Sequence, residues 1–447
     1  MQTPLSHKLF MTRILRLLRP LRTCVSLVKL PNVSYRSYST VPSPYYPTHK
    51  SYQPSKEPIN ELPENSYIQP TPGPEDHIIV AMSSGVDSSV CAALFQNYKN
   101  VHGIYMANWS QNATCTERDW RDVQKVCQDL NIDCERVNFE HEYWNDVFLP
   151  MIEKYERGLT PNPDIGCNKY VKFGKLAEYL EQKYHGKKWW LVTGHYARVM
   201  KHNATGEYHL LRGLSSRKDQ SYYLSSIPAS ILSKTILPIG HYTKPEIKFF
   251  GQFTNLRFGV MTKKFNLHTA SKPDSQGLCF VNPNQSNFRD FLNEYIPANP
   301  GDIVTEDGTV WGKHKGLWHA TIGQRSTVSM PQGDPKYQGV WFVSEKNIEK
   351  NQLVIVKGTD NPKLFKQVVE ITDLEWIQPK EKVLAMDNVQ FQYHSLTTPV
   401  PVKVIKNKGD KLIIELEKPA RALAPGQGGI LYNGNQVLGG GMINKTL

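Results

Sequence analysis

At 447 residues the chain is long enough for two or three domains with their own cores, and its composition is that of neither a fibre nor a disordered protein. No apolar run approaches the length needed to span a bilayer, so the working protein is expected to be soluble, with no membrane partner. The net charge of +12 points to a polyanionic partner, yet residues 1–56 hold nine Lys/Arg and no Asp or Glu, leaving 44 basic against 41 acidic residues in the rest; such a body suits local phosphate contacts better than a globally cationic surface.

The acid-free start interleaves Lys8, Arg13, Arg16, Arg19 and Arg22 with Leu9, Phe10, Ile14, Leu15, Leu17, Leu18 and Leu21, then runs into the Ser/Tyr-rich stretch from Ser34 to Ser39. An Arg-rich, Ser-rich amphipathic segment without acids has the pattern of a mitochondrial transit peptide, and its apolar stretches are too broken by arginine for a secretory core. Residues 1–42 are read as that peptide, with a basic RNA-binding arm as the alternative. Residues 43–75, rich in Pro, Ser and Tyr, read as a linker that carries no fold. The seven cysteines, at 24, 91, 115, 127, 134, 167 and 279, form an odd set without a CxxC pair, which fits a reducing compartment and offers no zinc or disulfide framework. Cys91 and Cys127 are expected to be small core residues.

Ile78-Ile79-Val80-Ala81-Met82 predicts a buried strand, Ser83-Ser84-Gly85 a tight turn, and Val86-Asp87-Ser88-Ser89 leads into a helix over 90–95. A turn from a parallel strand into a helix aims backbone N–H groups and the positive end of the helix dipole at one point, so phosphate is the expected guest. No Gly-Lys-Ser/Thr follows, so this is not a Walker loop, and the spaced glycines of a dinucleotide fold are missing. The stretch resembles the pyrophosphate loop, Ser-Gly-Gly-x-Asp-Ser, of ATP pyrophosphatases. Ser84 stands where that pattern has its first glycine, and a positive φ there would make serine costly.

Further strands are expected at 101–106, 134–139, 189–193 and 208–211, with helices at 119–130, 143–155 and 171–184. Strand and helix in alternation imply an α/β domain whose parallel sheet is covered on both faces, with ligands beyond the carboxyl ends of the strands. Met106 and Gly194-His195 follow strands and can reach that crevice. Thr160-Pro161-Asn162-Pro163-Asp164-Ile165-Gly166-Cys167-Asn168-Lys169 is too stiff and polar to be core, and its prolines present Asn162 and Asp164 in a fixed array. A thiol at a helix entrance beside Lys169 is favoured as thiolate and becomes a nucleophile. A second polar loop, from Lys272 to Val281, carries Cys279. Two loop cysteines beside an adenylating loop suggest sulfur transfer, one thiol bearing a persulfide and the other resolving it. Thr243-Lys244-Pro245-Glu246 reads as a capped helix start. From Gly301 onward, short alternating strands between Gly, Asp and Asn turns predict an all-β, barrel-like domain.

These motifs occur together and in order with Thr193-Gly194-His195-Tyr196, Lys218-Asp219-Gln220-Ser221-Tyr222-Tyr223-Leu224, Gly277-Leu278-Cys279-Phe280, Gly323-Gln324-Arg325, Pro425-Gly426-Gln427 and Leu438-Gly439-Gly440-Gly441. Over residues 77–447 the chain resembles the tRNA-specific 2-thiouridylase family, and its presequence resembles that of a mitochondrial member. The resemblance implies an α/β catalytic domain with the parallel sheet of the adenine nucleotide alpha hydrolase (pyrophosphate-loop) type over 76–227, a small tRNA-binding connector with the second cysteine over 228–300, and a β-barrel-like domain over 301–447. It implies ATP, with Mg2+, held by Ala81, Met82, Ser83, Ser84, Gly85, Val86, Asp87, Ser88, Met106 and Gly194. Cys279 matches the persulfide carrier, Cys167 the nucleophile that frees the sulfur and closes a disulfide, and Asp164 a possible acid or base. Asn162, Pro163 and Asp164 match the segment that contacts the target base. His195, Lys218, Asp219, Gln220, Gln392, Tyr393 and Gln427 match tRNA contacts, and Lys244, Lys248, Arg257, Lys263 and Lys264 of the connector are expected to meet phosphates.

The implied reaction is ATP-dependent 2-thiolation of the wobble uridine of mitochondrial tRNAs for Lys, Glu and Gln, in the matrix. The C2 oxygen is adenylated and then replaced by persulfide sulfur from a sulfur-relay protein or cysteine desulfurase. No metal site is expected, while an iron–sulfur cluster on Cys167, Cys279 and Asp164 stays open. Two other readings remain: a pyrophosphate-loop synthetase that transfers nitrogen, which needs neither thiol, and a non-catalytic tRNA-binding protein, which releases no AMP.

Overall fold

The computed structural model describes residues 59–109, 113–247, 267–272 and 288–447. The transit peptide, Cys279 and the connector's Lys248, Arg257, Lys263 and Lys264 lie outside them. Among the described residues no helix is long and apolar enough to cross a membrane.

The strand His77–Met82 is apolar on both faces, as a strand buried between two layers must be. Ile78 and Val80 join the core formed with Val86, Val90 and Cys91 of the helix Val86–Phe95 and Val123 and Val126 of the helix Ala113–Leu130. Ile79 faces the opposite core, with Phe148, Val171 and Leu176 of the helices on the other side. Five parallel strands lie in the order Asp133–Asn138, Asn100–Ala107, His77–Met82, Trp189–Val192, Thr235–Ile236. The chain builds outward on one side of His77–Met82 and then crosses to the other, so the switch in strand order falls where that strand delivers Ser83 to Gly85. Cys91 and Cys127 are buried core residues, as expected, and burial pushes both thiols up.

Three expectations change. The stretch 208–211 is not part of the parallel sheet, because Tyr208–Arg212 pairs antiparallel with Ala197–His202 as a hairpin. The region read as a foldless linker is in place from residue 59 on: Tyr67–Ile68 pairs with that hairpin, and the buried Arg198 guanidinium donates to the Asn60 carbonyl. Its prolines disguised a short edge strand. The β region after Gly301 holds two bodies instead of one barrel. A four-stranded sheet, in the order Val310–His314, Gly301–Thr305, Gln352–Lys357, Trp341–Asn347, has its own small core around Ile303, Leu353 and Ile355.

The second body is a closed barrel of six strands. Gln436–Thr446, Phe365–Trp376, Leu412–Arg421, Val400–Asn407, Gln390–Gln392 and Gly428–Asn433 pair in that order, and the last pairs back onto the first. Closure removes exposed sheet edges, and Val369, Phe391, Leu412, Ile414 and Leu431 fill the inside. The hairpin Ala197–His202/Tyr208–Arg212 abuts the barrel through Leu211, opposite Gln436.

Candidate active site

The loop after His77–Met82 is held by hydroxyls. Ser88 Oγ accepts from the Ser83 amide at 3.0 Å and donates to the Ser83 carbonyl at 2.8 Å, while the Gly85 amide donates to Ser83 Oγ at 3.3 Å. Among the described residues positive φ outside glycine is confined to Asn65, Asn131, Asn351, Asp373, Leu396 and Ala422, so Ser84 sits in the loop without that strain. Helix geometry leaves the amides of Val86, Asp87 and Ser88 without intrahelical acceptors, which is the donor set a pyrophosphate needs. The wall opposite is Gly194: a Cβ there would stand 3.1 Å from the Ser88 amide nitrogen. Met106 lies at the carboxyl end of the neighbouring strand Asn100–Ala107, so the positions assigned to ATP converge on one crevice.

Asp87 puts a carboxylate into this anion site, and the fold answers it with a buried cation. Lys244 Nζ lies 2.7 Å from both Asp87 oxygens, and Tyr196 Oη donates to Asp87 Oδ1 at 2.8 Å. Lys244 is the first residue after Thr243, whose amide and hydroxyl both donate to the Glu246 carboxylate, so it lies inside the capping box. The sequence reading assigned Lys244 to tRNA phosphates; instead its ammonium is turned inward to the nucleotide loop. The capping box was legible, but which way its lysine pointed was not.

The segment read as carrying the nucleophile is helical from Pro163, earlier than expected. Asn162 is the N-cap, its side-chain oxygen accepting from the Asp164 amide at 3.1 Å, and Pro163 takes the first helical position, where its missing N–H costs nothing. The turn Pro163–Gly166 continues into the π-helical stretch Cys167–Lys175, so buried Cys167 sits one turn inside the helix and not at its entrance. Lys169 is not the thiol's cation: its ammonium pairs with Glu375 of the barrel and lies over the Tyr170 ring. Asp164 is held above the usual carboxylate range by burial, with the Lys172 ammonium pulling the other way. The amide of Asn168 donates to the Tyr223 carbonyl, while its buried Oδ1 has no partner among the described residues.

Loop and thiol helix are bridged by consecutive residues. Gly194 abuts Ser88, and His195 packs its ring 5.7 Å from Phe173 of the Cys167 helix while its Nδ1 lies 2.7 Å from Thr193 Oγ1. Burial, helped by Lys172, drops His195 well below the usual imidazole range, so the ring is neutral at physiological pH. Lys272 pairs with Asp122 of the helix Ala113–Leu130, and Phe288 packs on Tyr155, whose helix Leu149–Glu156 leads to the Cys167 loop.

Of the expected tRNA contacts, Lys218 is exposed and Tyr393 is partly buried. Gln220 is spent on the crevice loop, with its Oε1 accepting from the Tyr196 amide at 2.9 Å. Asp219 and Gln392 are buried in an internal network, where Arg212 reaches each at 2.8 Å and lies over the Tyr432 ring. Gln427 donates to the Thr160 carbonyl at 2.7 Å, and the Thr160 amide donates to the Pro425 carbonyl at 2.9 Å. Lys346 of the small sheet, missed in the sequence, completes the grip by donating to the Gly158 carbonyl and to Thr160 Oγ1. Thr160 is therefore clamped by both C-terminal bodies, just ahead of the base-contact segment.

Comparison with known families and proteins agrees with this layout. The family described as the tRNA methyl transferase HUP domain matches residues 76–283, the tRNA methyl transferase PRC-barrel domain matches 289–357, and the aminomethyltransferase beta-barrel domain matches 366–443. Mitochondrial tRNA-specific 2-thiouridylase 1 of Saccharomyces cerevisiae is 49% identical over 402 residues, covering 85% of this chain and 94% of that protein. The protein of the same name from Schizosaccharomyces pombe is 38% identical over 395 residues, covering 84% and 92%. The tRNA-specific 2-thiouridylase MnmA of Bacillus cereus is 38% identical over 383 residues, covering 83% and 95%. With identity at that level across nearly the full length of its relatives, the chain belongs to the tRNA-specific 2-thiouridylase family.

Proposed function

We propose that this protein thiolates C2 of the wobble uridine of mitochondrial tRNAs, at the expense of ATP, in the mitochondrial matrix. The observation that carries the reading is the bridge at Gly194-His195, which brings the pyrophosphate loop and the Cys167 helix to one crevice. The first-turn amides and Ser83-Ser84-Gly85 hold the phosphates of ATP, with Lys244 offsetting Asp87 beside them and Mg2+ arriving as the companion of ATP. The uracil C2 oxygen attacks the α-phosphorus and pyrophosphate leaves, which turns a poor leaving oxygen into part of AMP. Cys167 as thiolate attacks Sγ of the Cys279 persulfide, with the outer sulfur as the leaving group. The S–S bond breaks, a Cys167–Cys279 disulfide forms, and hydrosulfide leaves to add at C2 as AMP departs. An external thiol reductant restores both cysteines, and a persulfide-bearing donor protein reloads Cys279. His195 presents a neutral ring beside the Cys167 helix, and Asp164, whose carboxyl burial holds above the usual range, can hold or donate a proton there. The base must be drawn out of the anticodon stack to reach this crevice.

The test is reaction of the purified protein with an unmodified mitochondrial tRNA transcript, ATP and a persulfide donor, read by nucleoside mass spectrometry and AMP release. Wild type is expected to form 2-thiouridine, while Cys167→Ser and Cys279→Ser form none yet still bind ATP. Thiolation surviving in Cys167→Ser would sink the mechanism, and nitrogen incorporation with both thiols removed would favour the amidating synthetase.

A further inference from the structure

We propose that Lys346 is a positioning residue for the thiol chemistry, through which the small sheet fixes the turn that delivers Asn162, Asp164 and Cys167 to the crevice; this role rests on the thiolation proposed above. The helix Leu149–Glu156 ends on Gly158, whose φ of +78° favours glycine. The Gly158 amide donates to the Tyr155 carbonyl at 2.9 Å and the Leu159 amide to the Lys154 carbonyl at 3.0 Å, the paired bonds that close a helix on a left-handed residue. That closure uses amides alone. The Gly158 carbonyl and the Thr160 hydroxyl, both on buried residues, still need donors, and Lys346 Nζ serves them at 2.8 Å and 3.1 Å.

The barrel holds the rest of Thr160, its amide through the Pro425 carbonyl and its carbonyl through Gln427, so losing Lys346 loosens the turn without releasing it. Two residues on, Asn162 caps the turn Pro163–Gly166 that runs into Cys167. Pro161 and Pro163 leave this short stretch little freedom to absorb a shift, so a displacement at Thr160 moves the acid and the thiol together. Lys346 as a whole is partly exposed, but its ammonium is buried, and no carboxylate pairs with it among the described residues. The charged neighbours are engaged elsewhere: Arg157 of the turn pairs with Glu153, and His319, close to the Leu317 that faces Gly158, hydrogen-bonds Asn293. On the adjoining strand the residue opposite Lys346 is Leu353. Two neutral acceptors match the two N–H groups of a neutral amine, whereas an ammonium brings a third N–H and a buried charge that neither acceptor neutralises. Burial lowers the group to about 7, so proton uptake works against the seated form.

The experiment measures thiolation of an unmodified tRNA transcript by the full-length protein from about pH 6 to about pH 9, the span over which a lysine shifted this far titrates. Lys346→Met is expected to lower kcat about tenfold and Thr160→Val about threefold, with KM for ATP within about twofold of wild type, because misplacing the reacting groups costs rate while the nucleotide loop is held by other contacts. Thr160→Ser, which keeps the hydroxyl, should match wild type, as should Lys336→Ala, an exposed lysine of the same body. The double variant Lys346→Met/Thr160→Val should be no slower than Lys346→Met alone, since both changes remove one contact. The ratio of wild-type kcat to that of Lys346→Met should rise with pH through about 7, the titration of Cys167 being common to both proteins. Amide hydrogen exchange should quicken in Lys346→Met from Leu159 to Cys167 and stay unchanged in the helix Val86–Phe95. Unaltered kcat and exchange in Lys346→Met, a ratio flat with pH, or losses that multiply in the double variant would each overturn this role while leaving the thiolation in place. Wild type that forms no 2-thiouridine would instead remove the function and this role with it.

Discussion

Asp164 and Lys244 show how single buried charges set measurable properties. Burial raises the Asp164 pKa, so its folded form holds a proton more tightly than the unfolded chain does. Its contribution to stability is complete below the ordinary carboxylate pKa of about 4 and is lost as pH rises through the raised value. Asp164→Asn does not titrate, so its thermal midpoint should gain on wild type between about pH 4 and pH 7 while thiolation falls; a gap that stays constant with pH would refute this. Lys244 faces a partly exposed Asp87, so Lys244→Met should cost roughly 1–3 kcal/mol by denaturant titration, less than the cost of breaking a fully buried pair. Asp87→Asn in that background should recover stability without recovering ATP affinity, a pattern that random destabilisation would not give. Neither side chain's direction was readable from the sequence, because Thr-Lys-Pro-Glu specifies a cap and leaves open what the lysine meets.

At the scale of elements, the strand-loop-helix unit was legible because every local signal agreed: an apolar run, small hydroxyl residues and a glycine, then helix formers. The thiol helix was misplaced at its start because Asn-Pro-Asp reads equally as a stiff loop and as a capped helix with proline first. Gly194→Ala brings a methyl to 3.1 Å from the Ser88 amide and 3.2 Å from the Asp87 carbonyl carbon, neither of which is a flexible side chain. We expect this variant to raise KM for ATP about tenfold while its fold, read by circular dichroism, is kept. Lys346 joins the small sheet to the loop before Asn162, and burial takes its ammonium down to about 7. The unfolded chain binds more protons there, so stability contributed through this group rises with pH from about 7 to about 10. Lys346→Met should flatten that rise in urea midpoints, and parallel pH profiles for variant and wild type would refute the assignment.

At the scale of the whole molecule, the barrel packs against the loop that leads into the candidate active site. Gly426 adopts φ +97°, and a Cβ there would stand 2.5 Å from the Thr160 amide nitrogen, so the barrel loop lies directly on the chain that leads to Cys167. Arg212, from the hairpin Ala197–His202/Tyr208–Arg212, meets Asp219 of its own body and Gln392 and Tyr432 of the barrel, all deeply buried. Arg212→Met strands the Asp219 carboxylate and should cost about 3–5 kcal/mol in chemical denaturation, with thiolation lost along with stability. A cost below 1 kcal/mol would mean that the two bodies do not depend on this contact. The parallel sheet, the β-rich C-terminal region and the identity of the loop residues were decided by the sequence, because alternation, turn chemistry and local motifs depend on neighbours along the chain. The division of the β region into an open sheet and a closed barrel, the turning inward of Lys244, Asp219 and Gln392, and the clamp on Thr160 were decided only in three dimensions. The contacts of Lys244 and Gln392 and the clamp on Thr160 join residues far apart in sequence, from 157 positions for Lys244 and Asp87 to 267 for Gln427 and Thr160, and no periodicity along a chain records which distant partner will satisfy a buried charge or amide.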